Sequence, residues 1–381
     1  MICSDCHQDL DDSLFRKWRK LCKPCEALAS KVRRRKPERT IQADIQERKE
    51  RSAVRGLKSR LNDALSLLEQ VQLERDTVLA VPSARRGVPS IAPRERTGVL
   101  REATAVALAS DWHIEERVLP EQVNGKNAYN LGIAHRRVER FFSGLQYLIR
   151  YHQDHFLIRD LLLWLGGDLI TGFLREENLE SNELSPVQAI ATLQVWLSDG
   201  IKSLLQMDDL HLTIVCSSGN HGRLTDKMRP STREANSIEW LLYNILAREF
   251  ENDPRVKFIL PAGAHTYVEV YGKLIRFLHG DDARYAGGVG GIMVPLMRAL
   301  ARWDTVYHAH LTCLGHFHQY YDTDGLVCNG SLIGYNPFAL SIGARFEEPR
   351  QAFFLLDSRR GKTFSADIWV RDEEEEASSP P

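Results

Sequence analysis

No apolar run in this chain approaches the roughly 20 residues needed to span a bilayer, and no signal-peptide pattern opens it. The seven cysteines make an odd count, which argues against a disulfide framework and for a reducing compartment. The expectation is a cytoplasmic protein with no membrane partner. Two familiar phosphate cradles are also missing. The glycine-rich stretch Gly287 to Gly291 fits neither GxxxxGK(S/T) nor GxGxxG, so a P-loop and a dinucleotide site are excluded there and only flexibility is expected of it.

What is present is 43% hydrophobic residues over 381 positions, enough for one large body with appendages or for two domains. The net charge of −1 hides an asymmetry. From Arg16 to Arg60 there are 17 Lys and Arg against 5 Asp and Glu, a surplus of +12 that leaves −13 for the remainder. A basic arm on an acidic body suits a nucleic-acid backbone, although a solvated helix face presents charge in the same way. Residues 372–381, beginning Asp372 to Glu376, read as an acidic disordered tail.

Four cysteines fall in the first 25 residues. Cys3 and Cys6 form one Cys-x-x-Cys pair and Cys22 and Cys25 another, with 15 residues between them. This spacing is that of a structural zinc site. Four thiolates close a tetrahedron around one Zn2+, and so short a piece with so little apolar content needs the metal to fold. A thiol redox pair is the competing reading. Residues 1–36 are thus expected to be a zinc knuckle followed by the basic segment Lys31 to Lys36. Residues 37–80 read as helix, with Val54, Leu57, Leu61, Ala64, Leu68 and Val71 on a heptad seam. That helix either forms a homodimer through 40–80 or packs alone on the body. Pro82, Gly87, Pro89 and Pro93 mark 81–98 as a linker, and 99–371 is the catalytic body.

The body is organised around Gly315-His316-Phe317-His318, at the end of an apolar run from Val306 to Leu314. On an extended backbone, residues i and i+2 face one side with Cα atoms roughly 6.5–7 Å apart. Two such imidazoles can each take one ion of a pair about 3.5–4 Å apart. Four upstream fragments share this character: Asp111-Trp112-His113, Gly167-Asp168, Gly219-Asn220-His221 and His279-Gly280-Asp281. Each follows an expected strand (Ala103–Ser110, Leu161–Leu165, Leu212–Val215 and the second arm of the hairpin His265–Val270/Leu274–Leu278). In α/β folds chemistry gathers at such strand ends.

Asp168 can bridge two metals, Asn220 offers a neutral oxygen, and His221, poorly placed for the same metal, is free to act on substrate. Two carboxylates against two dications leave positive charge for a phosphate anion. Helices are expected over Ile133–Tyr151, Ser185–Gln206 and Thr232–Phe250. His308-Ala309-His310 repeats the paired-histidine pattern inside the apolar run and is expected to be structural. Each fragment alone is common in turns; the ordered set of five is the signal.

In that order the fragments resemble the calcineurin-like metallophosphoesterase superfamily, nearest its DNA-repair exonuclease branch, over roughly Thr104 to Asn329. The resemblance implies an α/β fold, a two-sheet sandwich flanked by helices, with a dinuclear centre at the strand ends. Carried over by position, Asp111, His113 and His318 would serve the first metal and Asp168 would bridge. Asn220, His279 and His316 would serve the second, with His221 as the catalytic histidine. The ions implied are two divalent metals, manganese first, with iron, zinc or nickel as alternatives.

Two positions depart from the family pattern. Gly222-Arg223 stands where several members carry an acid after the G-N-H, so an aid to orienting His221 is missing or Arg223 contacts phosphate instead. The stretch Gly167 to Thr171 lacks the further acid or asparagine common in the family's phosphatases. The expected function is metal-dependent hydrolysis of phosphodiesters in DNA, with the arm holding the nucleic acid. The alternatives are a phosphatase or phosphodiesterase for a protein or small-molecule phosphate, and an idle nucleic-acid-binding protein.

Overall fold

The computed structural model describes residues 2–4, 6–14, 21–34, 88–93, 100–174, 176–283 and 291–371. The heptad segment 37–80, most of the expected linker, residues 284–290 and the acidic tail lie outside the described residues. The chain divides into two compact units, residues 1–87 and 88–381.

In the larger unit, strand alternation sets the layers. Strand β2 (Arg101–Ala109) turns Ala103, Ala105, Ala107 and Ala109 toward helices, and Val106 and Leu108 toward a second sheet. Strand β3 (Phe156–Leu165) does the same, with Leu161, Leu163 and Leu165 on one side and Leu162 and Trp164 on the other. Successive side chains point to opposite faces, so a strand covered on both faces reads as an unbroken apolar run. With β4 (His211–Cys216), β5 (Val256–Ile259), β11 (Arg350–Asp357) and β12 (Gly361–Trp369), these strands form a sheet in the order β12-β11-β2-β3-β4-β5. Strands β2 to β5 are parallel, while β11 and β12 run antiparallel to their neighbours.

Helices Leu131–Gln153, Pro186–Leu204 and Ile238–Glu249 cover the outer face through Phe141, Leu145, Leu193, Leu197, Leu242 and Leu246. The second of them starts as its sequence dictates: Ser185 caps the Gln188 N–H and Pro186 takes the first turn, where its missing N–H costs nothing.

The second sheet comprises β1 (Ser90–Ile91), β6 (Thr266–Val270), β7 (Lys273–Phe277), β8 (Leu311–Leu314), β9 (Tyr321–Asp322) and β10 (Leu326–Cys328), in the order β1-β6-β7-β8-β10-β9. Its inner face meets the first sheet through Val268, Ile275, Phe277, Cys313 and Val327. Its outer face packs Leu278, Leu314 and Cys328 on Ile292 and Leu296, at the start of and within the helix Met293–Trp303. The result is a mixed α/β unit: two six-stranded sheets face to face, flanked by helices.

Three segments differ from the expectations above. Ser90 and Ile91, inside the expected linker, pair in parallel with Glu269 and Val270 as an edge strand. The helix expected from Thr232 begins only at Ile238, after two short 3-10 turns, because Arg233 and Glu234 are drawn to Asp281 and Ser218. Strand β8 starts at Leu311 and not at Val306. Arg276 reaches the Asp304 carboxylate and the Tyr307 carbonyl, which holds the preceding residues out of the sheet.

Candidate metal centre

The five fragments all leave the C-terminal ends of strands: β2, β3, β4, β7 and β8. Where the sequence suggested extended backbone, at Asp111, His113, His316 and His318, the structure has left-handed turns, and Asp168 shares them. Asp111 (φ 58°), His113 (48°), Asp168 (48°), His316 (70°) and His318 (53°) all carry positive φ. Non-glycine residues adopt this conformation at a cost of order 1–3 kcal/mol, and only where their surroundings over-determine it. Here the first two loops are zipped together. The N–H groups of Trp112 and His113 both donate to the Asp168 carbonyl, and that of Asp111 donates to Gly167. The turns fold each ligand side chain back over the sheet edge.

Two glycines make room for this. A Cβ on Gly219 would lie 2.0 Å from Asp168 Oδ1, and one on Gly315 would lie 2.3 Å from Asp111 Oδ2. Neither position admits a larger residue without moving a carboxylate.

The side chains gather in two neighbouring groups, Asp111/His113/His318 and Asp168/His279/His316. Within each, one ligand atom per residue lies within 4.8 Å of the others. His318 Nε2 is 3.5 Å from Asp111 Oδ1, and His279 Nε2 is 2.9 Å from Asp168 Oδ2. Asn220 Oδ1 stands 3.2 Å from the same His279 nitrogen, which brings Asn220 to the second group. The two histidines of G-H-x-H part, one to each group. The structure sets Asp168 with the second.

The donor set suits cations. His113 is buried and its Nε2 has no partner among the described residues, an arrangement that costs about 1–3 kcal/mol if left unmade. Its other nitrogen, Nδ1, lies 3.0 Å from Thr171 Oγ1. The His279 Nδ1–H donates to the Gly166 carbonyl at 2.8 Å, so the Nε2 lone pair confronts a carboxylate and an amide oxygen. Without a cation, that conflict is relieved by a proton. Burial pushes the His279 pKa down, but Asp168 outweighs it and carries it up to about 10. Burial also pushes Asp168 up, and the surrounding imidazoles, His279 first, hold it well below its ordinary value. Burial and then His279 press His316 down to about 4.

His221 is held outside both groups. Its N–H donates to Asp168 Oδ1 at 2.7 Å and its Nδ1–H to the Thr171 carbonyl at 2.8 Å. The ring packs edge-on against His113, with centroids 4.8 Å apart. Arg223 bonds the carbonyls of Thr225, Asn220 and Asp226, so its guanidinium ties down its own loop. His308 and His310 stand apart from the centre: His308 pairs with Asp304, and His310 Nδ1 accepts from the Leu274 N–H.

Several residues that support the ligands carry no sequence motif. Gln351 Oε1 accepts from Ser110 N, Trp112 Nε1 and Asn329 Nδ2, and Ser110 Oγ then donates to Asp111 Oδ2 at 2.6 Å. Glu239, buried on the helix Ile238–Glu249, accepts from Leu169 N and Gly219 N and so spans two ligand loops. Arg233, also buried, joins Ser218 to Asp281. Their partners lie tens to hundreds of positions away, beyond the reach of local spacing.

In the smaller unit, Cys3, Cys6, Cys22 and Cys25 bring their sulfurs within 4.8 Å of one another. Cys22 N donates to Cys3 Sγ at 3.3 Å, and the Cys6 and Cys22 sulfurs are 3.9 Å apart. A tetrahedron with about 2.3 Å Zn–S bonds has edges near 3.8 Å. The helix Lys23–Arg34 starts at the second pair.

No protein-family model matches the sequence, and no curated protein matches it. Among solved structures, the chain is similar to a hypothetical protein from Pyrococcus horikoshii OT3, at 12% identity and TM-score 0.36, over 72% of this chain and 91% of that one. It is also similar to a conserved uncharacterized protein, a predicted phosphoesterase, from Streptococcus pneumoniae TIGR4, at 12% identity and TM-score 0.24, over 70% and 97%. A third is a single mutant of Vps29 from Entamoeba histolytica, at 12% identity and TM-score 0.26, over 69% and 98%. Likenesses this remote assign no activity; the ligand geometry stands on its own.

Proposed function

We propose that the protein is a two-metal-dependent phosphodiester hydrolase, a nuclease acting on DNA. The observation that carries this reading is the pair of adjoining Asp/His groups, with the buried His113 Nε2 left without a partner among the described residues. Asp111, His113 and His318 would hold one ion and Asp168, Asn220, His279 and His316 the other, with Asp168 proposed to serve both. When bound, the two ions neutralise charge on the phosphoryl oxygens and make water acidic enough to attack phosphorus at neutral pH. His221 works from outside that ligand set. Its Nδ1–H is committed to Thr171, so Nε2 delivers a proton to the leaving oxygen or stabilises charge on the phosphate. Manganese is the proposed resident of the centre and zinc that of the four cysteines.

DNA is favoured as the substrate by the surplus of +12 between Arg16 and Arg60, and by Lys227 and Arg229, exposed on the loop that follows His221. Such residues contact the backbone without reading sequence. A cytoplasmic location and pairing of two copies through 40–80 belong to the same proposal.

The test is hydrolysis of single-stranded DNA, duplex DNA, a chromogenic phosphodiester and a phosphomonoester, side by side, with manganese restored after chelation. DNA cleavage that vanishes on chelation is expected. Turnover of the monoester alone would transfer the reading to a phosphatase.

A further inference from the structure

Both departures from the family pattern meet at one residue. Thr171 is fully buried at the end of Gly-Asp-Leu-Ile-Thr, and three of its polar groups are engaged near the centre. Its main-chain carbonyl accepts the His221 Nδ1–H at 2.8 Å. Its hydroxyl oxygen lies 3.0 Å from His113 Nδ1 and donates to Glu116 Oε2 at 3.2 Å. Its N–H donates to Glu115 Oε1 at 2.8 Å, and the Gly172 N–H donates to the same oxygen at 2.8 Å.

The direction of the side-chain relay follows from counting protons. Asn336 Oδ1 accepts from the Ala339 N–H, which turns its NH2 toward Glu116 Oε1 at 3.0 Å. Glu116 Oε1 is therefore an acceptor, and Oε2 accepts from the Thr171 hydroxyl at 3.2 Å. A threonine hydroxyl has one proton, and that proton goes to Glu116. Its oxygen must then accept the His113 Nδ1–H, which leaves the lone pair on Nε2, the atom without a partner among the described residues. Metal-ligating imidazoles take their tautomer from such a partner, and loss of that partner typically costs 10–100-fold in metal affinity.

We infer that Thr171 is a positioning residue for two imidazoles at once: its hydroxyl, backed by Glu116 and Asn336, fixes His113 as an Nε2 metal ligand, while its carbonyl fixes the ring of His221. This rests on the two-metal reading of the centre. It adds an asymmetry, because the corresponding nitrogen of His279, in the second group, is held by a main-chain carbonyl that no side-chain substitution removes. The hydroxyl serves the Asp111/His113/His318 group alone.

The experiment titrates Mn2+ into the metal-free full-length protein and its Thr171→Val and Thr171→Ser variants by calorimetry, with bound metal counted by elemental analysis. Valine keeps the shape and the carbonyl and deletes the hydroxyl. Two Mn2+ per chain are expected for the unsubstituted protein. For Thr171→Val, one class of site should weaken 10–100-fold while the other keeps its affinity, and Thr171→Ser should restore the first. Unchanged affinity of both sites in Thr171→Val would overturn the inference and leave the two-metal centre standing. If Thr171→Val weakens both sites or fails to fold, the serine variant decides: recovery upholds the role of the hydroxyl, and no recovery overturns it. An unsubstituted protein that binds no pair of ions would instead remove the two-metal reading itself.

Discussion

Replacing Asp168 by asparagine separates the charge of this carboxylate from its shape. The amide can reproduce both native contacts in the absence of metal. Its oxygen can accept from the His221 N–H, as Oδ1 does at 2.7 Å, and its NH2 can donate to the lone pair of His279 Nε2, 2.9 Å from Oδ2. The fold should therefore survive. What disappears is one negative charge, and the His279 nitrogen becomes occupied by a donor. A unit charge and a dication 4 Å apart interact by about 8 kcal/mol at an effective permittivity of 20. Even half of that, at about 1.4 kcal/mol per decade, weakens metal binding close to a thousandfold. The assay pairs elemental analysis of dialysed protein with turnover of a chromogenic phosphodiester. Asp168→Asn is expected to fold with a metal-free melting temperature lowered by loss of the His279–Asp168 ion pair, to hold at most one manganese ion per chain at concentrations that saturate the unsubstituted protein, and to show no turnover above background. Two bound manganese ions with normal turnover would refute the reasoning.

His221→Ala should retain both ions and lose 10²–10⁴-fold in turnover; loss of metal instead would make His221 a ligand. A second check uses pH in the metal-free protein. The folded His279 pKa is raised to about 10 against about 6.5 unfolded, so its stabilisation is complete below about 6.5 and is lost as pH rises toward 10. The melting temperature should accordingly fall between pH 7 and 10 by more than in His279→Gln, and parallel curves would contradict this. Deleting residues 1–87, the whole smaller unit, should abolish most DNA affinity and spare hydrolysis of a small phosphodiester. The intact protein should show a steep salt dependence, with a slope of about −0.9 in log K per neutralised duplex phosphate; equal DNA affinity with and without the unit would argue for a protein or small-molecule substrate.

The two candidate ligand groups could be located in the sequence because strand ends are legible. Apolar runs such as Leu161 to Leu165 and Leu212 to Val215 announce buried parallel strands, and the polar residues just beyond them face one edge by topology alone. Backbone conformation at that edge was not. Asp111 and His318 were expected on extended segments, but the hydrogen bonds that hold them in left-handed turns come from other loops. Long-range polar partners escaped for the same reason: Gln351 serves Ser110, and Glu239 serves Gly219, across gaps that no periodicity marks. Even the two departures from the family pattern become intelligible only in three dimensions, where Thr171 stands behind both His113 and His221. The Val306 to Leu314 run misled because Val306 and Tyr307 are apolar without being buried; Val306 is 88% exposed.

The most direct test of the dinuclear centre is anomalous diffraction from crystals of the full-length protein soaked in manganese. Two peaks are predicted, about 3.5–4 Å apart, one against Asp111, His113 and His318 and the other against Asn220, His279 and His316, with Asp168 between them. A single peak, or two peaks that share none of these ligands, would contradict the account.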